Sequence, residues 1–118
     1  MPETALRIAL LTHSVNPRGG VVHTLELADA LHALGHAVTV IAPALPGQRF
    51  FRTPRCAVDL VPVRDTPGEL AALVASRRDA CVAHLSARYG PGRFDVWHAH
   101  DGIGGNAAGQ AVRARRVR

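Results

Sequence analysis

Two hydrophobic rhythms alternate along this chain. Leu6–Thr12 is an almost unbroken apolar run, with Arg7 near its start. Such a run fits a strand covered on both faces, as in a parallel sheet. Val22–Leu34 changes to helical spacing: Leu27, Leu31 and Leu34 fall on one stripe, with Val22, Leu25 and Ala28 beside it. Glu26, Asp29 and His32 take the other side, and Gly35, close to His36, predicts a left-handed helix cap. Ala37–Ala42, "AVTVIA", predicts a second buried strand that ends at Pro43, Pro46 and Gly47. Ala57–Val63, with Pro62 near its end, predicts a third. Thr66 and Pro67 predict the cap and first residue of a second helix running to Tyr89. Its expected core contacts are Leu70, Leu73, Val74, Cys81 and Leu85, and Gly90-Pro91-Gly92 stops it. Phe94–Ala99 predicts a fourth strand, His100–Gly105 a loop, and Asn106 the start of another helix.

This order of elements places the chain in the α/β class, as a Rossmann-like open parallel sheet with helices on both faces. The usual topology puts the first strand centrally, the second and third on one side and the fourth on the other. A switch point then falls between strands one and four. Ligands of such sheets sit at the carboxyl ends of the strands, which makes Thr12–Gly20 and His98–Gly105 the connections of interest. With no repeat, low-complexity tract or linker, residues 1–118 read as one domain.

Composition narrows the function classes. Of the 118 residues, 47% are hydrophobic and 19% charged, a globular balance. Aromatics are only 4%, so aliphatic side chains and Ala must fill the core. All 14 basic residues are Arg, and the formal charge is +5. Arg clusters in the terminal "VRARRVR", but without interleaved aromatics or a nucleic-acid module the chain reads as no nucleic-acid binder. Cys56 and Cys81 form neither a CxxC pair nor a disulfide framework. With no leader ahead of Leu6 and no apolar run of spanning length, a cytoplasmic chain with reduced thiols is expected.

The candidate chemistry lies in the two connections. Gly19-Gly20 permits positive φ and close approach of a ligand, and the following helix start offers unpaired N–H groups to an anion. A plain tight turn is the alternative. Neither GxGxxG nor a Walker loop is present. His98 and His100 are two apart and would share one strand face, with Asp101 beside them. A metal would need a third ligand, and Gly102 breaks the HxHxDH pattern, so no metal is expected. One imidazole can instead face a substrate, with Asp101 as acceptor or orienter. The alternative is one His in the core and one capping a loop. His13 and Asn16 lie in the first connection. Arg18 and Arg52 can meet phosphate or stay solvated. Phe50-Phe51 is expected under a loop, Cys56 and Cys81 as small apolar residues, and His84 on a helix surface.

The segment "RIALLTHSVNPRGGVVHTLELADALHALGHAVTVIAP" (Arg7–Pro43) resembles the opening of the retaining family-four glycosyltransferases of GT-B architecture. "FDVWHAHD" (Phe94–Asp101) is similar to their fourth-strand signature. The resemblance implies two Rossmann-like domains facing a cleft, the first holding much of the acceptor site. It implies hexosyl transfer from a nucleotide-diphosphate sugar to a small or lipid-linked acceptor, with no cofactor and no catalytic metal. It places Gly19 and Gly20 near the donor's diphosphate, His100 or else His98 toward the reacting sugar, and Asn16 near the acceptor. It also implies that the second domain is missing and the first incomplete, so that the chain alone is expected to be inactive. Three alternatives are a non-catalytic binding module, a subunit completed by a separately encoded C-terminal half, and a gene remnant. Peripheral attachment to a membrane is a further variant within this family resemblance.

Overall fold

The two rhythms become six elements in the computed structural model, which describes residues 5–64, 70–90 and 92–99. These are β1 (Arg7–Leu11), α1 (Gly19–Ala33), β2 (Ala37–Ala44), β3 (Ala57–Pro62), α2 (Leu70–Arg88) and β4 (Val96–Ala99). The strands form one parallel sheet in the order β3-β2-β1-β4. The first strand is therefore central, as its uninterrupted apolar run requires. Ile8 pairs with both Val38 and Val96, and Leu11 with both Ile41 and Ala99. The carboxyl ends of β1, β2 and β4 consequently lie at one rim.

Alternation along the strands divides the core into two layers. Ile8, Leu10, Val38 and Val40 pack with Val21, Leu25 and Ala28 of α1. Ala9, Leu11, Ile41 and Val61 pack with Cys81 and Leu85 of α2, and with Tyr89 and Phe94 beyond it. Apolar burial of this kind contributes about 25 cal/mol per Å².

Several expectations shift. Helix α1 begins at Gly19, not Val22, and its buried stripe is Val21, Thr24, Leu25 and Ala28. The leucine stripe is only its margin: Leu27 and Leu31 are half-buried and Leu34 is 64% exposed. Buried Thr24 is tolerated because its hydroxyl donates to the Gly20 carbonyl at 2.7 Å. Strand β2 continues through Pro43 to Ala44. The Ile41 carbonyl accepts from the Thr12 N–H at 3.0 Å, on the β1 side. Pro43, two residues on, turns its missing N–H the same way, past the end of β1, so no ladder bond is lost. The second helix buries Cys81 and Leu85, whereas Leu70 is 75% exposed and Leu73 and Val74 only half-buried. The expected cap at Thr66-Pro67 and the helix at Asn106 lie outside the described residues.

Gly35 has φ 95° and takes the left-handed position after α1, as expected. Leu45-Pro46-Gly47-Gln48 closes a turn after β2. Gln48 N–H donates to the Leu45 carbonyl at 2.9 Å, with Pro second and Gly47 at φ 81°.

Candidate functional site

The connection from β1 to α1 is pinned rather than loose. Val15 is buried in the α1 layer, and its carbonyl accepts from Phe51 N–H at 3.3 Å. Phe50, beside it, is buried in the same layer. Asn16 N–H donates to Ser14 Oγ at 3.0 Å, and Arg18 N–H to the Asn16 carbonyl at 2.8 Å. Arg18 then caps α1 with extended backbone, and its carbonyl accepts the first helical bond from Val22 N–H at 2.9 Å. No side chain caps this helix and no acid stands in its first turn. Its amino end therefore keeps its partial positive charge.

Gly19 and Gly20 are the first two residues of the helix, and neither has positive φ. A Cβ built on either would meet nothing within 4 Å. The pair is thus not required by a left-handed turn or by internal crowding. It leaves the amino end of α1 bare.

Beside this end lies a hollow of about 370 Å³. His13, Ser14, Asn16 and Arg18 form one wall, Pro43, Leu45 and Gln48 a second, and Leu70, Leu73, Val74 and Arg77 of α2 a third. Volume and lining are those of a small-ligand site: apolar surface with a few converging polar groups. The three leucine and valine positions of α2 expected in the core wall this hollow instead. Arg77 and Gln48 were not singled out by the sequence. Arg77 is one of two adjacent arginines in the middle of α2, and only the fold shows which cleft that turn borders. Thr12, at the end of β1, is buried, and its hydroxyl finds no partner among the described residues.

The second connection is described only in part. His98 pairs in register with Leu10 and stands on the α1 face of β4, exposed beside Val96. It is at the same rim as the hollow but not among the residues lining it. Trp97 and Ala99 face α2. His100 and Asp101 lie outside the described residues. No group of three or more metal-ligating side chains occurs among the described residues. No helix among them is long and apolar enough to cross a membrane.

Away from the hollow, the elements are stitched together by carboxylates. Asp95 accepts from Arg7 N–H at 2.8 Å, Nε at 3.3 Å and Nη2 at 3.1 Å. These bonds hold its carboxyl below the usual range. Asp29 accepts from Arg52 Nη1 at 2.8 Å and Arg55 N–H at 2.9 Å. Burial pushes its carboxyl up, but these donors outweigh burial and hold it down. Arg52 is therefore an internal tie. Asp59, buried on β3, meets His84 Nε2 at 2.9 Å, Arg88 Nε at 3.3 Å and the Tyr89 hydroxyl at 2.5 Å. His84 is thus not a free surface residue but faces the sheet, because Asp59 draws it inward. Burial, and then Asp59, push the Tyr89 phenol up to about 12. Cys81 is buried; Cys56 is half-buried, and burial raises its thiol.

The sequence matches the family model for Glycosyltransferase Family 4 over residues 17–118, from just before the paired glycines onward. No curated protein matches it.

Proposed function

The chain belongs to glycosyltransferase family 4, and from that premise we propose that it forms the N-terminal, acceptor-side part of a retaining glycosyltransferase. The reaction moves a hexosyl group from a nucleotide-diphosphate sugar to a small or lipid-linked acceptor, without cofactor or catalytic metal. One observation carries the reading: the hollow opens where the carboxyl ends of β1 and β2 meet the bare amino end of α1. Asn16, Gln48 and His13 supply hydrogen-bonding groups suited to sugar hydroxyls. The uncapped helix end, left open by Gly19 and Gly20, favours the charge that grows on a departing diphosphate. His100, or else His98, is the imidazole assigned to the reacting sugar, with Asp101 beside it.

Much of the charge stabilisation in this reading comes from a donor-binding domain outside these 118 residues. The purified chain should therefore bind saccharide in the hollow yet transfer no sugar at enzyme-like rates. NMR titration with monosaccharides should move the amides of 13–18 and 73–77. Shifts confined to residues away from the hollow would overturn the acceptor assignment, and turnover by the chain alone would overturn its dependence on a second domain.

A further inference from the structure

We propose that the acceptor held in this hollow carries a phosphate group, bound between Arg18 and Arg77; the inference rests on the sugar-transfer reading above. Three structural facts converge. The two arginines come from different elements, the loop before α1 and the middle of α2, and line the same space. His13 joins them, and no carboxylate stands among the described lining residues. The neighbouring helix end adds positive partial charge and has neither an acidic residue nor a side-chain cap.

The contrast with the rest of the molecule gives this weight. Arg7, Arg52 and Arg88 each meet a carboxylate: Asp95, Asp29 and Asp59. The arginines of the hollow instead border open volume, a field that draws in an anion. Guanidinium forks match phosphate oxygens in pairs. Leu45, Leu73 and Val74 offer an apolar wall to the C–H face of the sugar or polyol that bears the phosphate. Arg77 is then a specificity-determining residue: it selects the acceptor and leaves the donor unread.

The test titrates the purified chain with glucose 6-phosphate, glucose, inorganic phosphate and a nucleoside diphosphate, by calorimetry and amide shifts. Sedimentation with phosphatidylcholine vesicles, with and without phosphatidylglycerol, tests a lipid-borne phosphate. Glucose 6-phosphate should bind about tenfold more tightly than glucose. Arg18→Gln and Arg77→Gln should each remove most of that margin, and Arg77→Lys should restore part of it, with unchanged melting curves. Arginine-dependent binding only to phosphatidylglycerol vesicles also supports the proposal and assigns the phosphate to a lipid. Equal binding of glucose and glucose 6-phosphate, indifferent to Arg77→Gln, overturns the proposal while the sugar-transfer reading stands. A nucleoside diphosphate that binds tightest and depends on Arg77 overturns it by making this the donor site. Arginine-dependent binding of inorganic phosphate, with no gain from a sugar, overturns both readings. So does no binding of any probe.

Discussion

The hollow and the rest of the molecule use charge in opposite ways. Away from the hollow, Asp29, Asp59 and Asp95 each tie together segments distant in sequence, and the facing arginines are occupied. At the carboxyl rim, Arg18 and Arg77 border a hollow. The same residue type is a fastener in one place and a recognition group in the other. Stability and binding should therefore respond to different substitutions, and four measurements sharpen or break that division.

The largest effect is expected at Asp59. Asp59→Ala strips His84, Arg88 and Tyr89 of their common acceptor and should cost about 3 kcal/mol in denaturant unfolding. A loss no larger than that of an exposed residue would break the division at its firmest point. Tyr89→Phe keeps the ring against Phe94, 4.9 Å between centroids, and loses only the hydroxyl. It should cost about 1 kcal/mol. The pH dependence follows from the phenol, held at about 12 against its ordinary 10.0. The unfolded chain releases this proton first, so the contribution is full below about 10 and falls as pH rises toward about 12. The chain has one Tyr, so tyrosinate absorbance reads this titration alone, and Tyr89→Phe should lack the alkaline loss.

Smaller and opposite in sign, Gly20→Ala should stabilise by about 0.5 kcal/mol, since the position is helical and a Cβ meets nothing. Weakened binding of sugar or nucleotide sugar by the same variant would show what the bare backbone serves. Arg18→Gln and Arg77→Gln should leave stability within about 0.5 kcal/mol of the parent. A substantial drop in either melt would make these arginines fasteners too.

The sheet was legible because its signals are local. β-branched runs, Gly35 and the helical repeat fix the strands and α1, and the standard topology supplies the order β3-β2-β1-β4. Less legible was which of two adjacent stripes on α1 is buried. Leu27-Leu31-Leu34 is the stronger pattern by composition, but Val21-Leu25-Ala28 is the stripe that packs against the strands. The loop residues His13 and Asn16 could be placed at the carboxyl rim from topology alone. Arg77 could not, because its role depends on how α2 crosses the sheet. Nor could the Asp59 cluster, whose members are brought together by β3–α2 packing over 25 and 30 residues of sequence.

Trp97 offers a practical consequence. It packs edge-on to Phe94 at 5.0 Å and Tyr89 at 6.5 Å, on the α2 side of β4 and apart from the hollow. As the lone indole of the chain, it makes intrinsic emission a gauge of whether the second helix is seated. Emission and calorimetry on one sample would then report fold integrity and occupancy as separate channels.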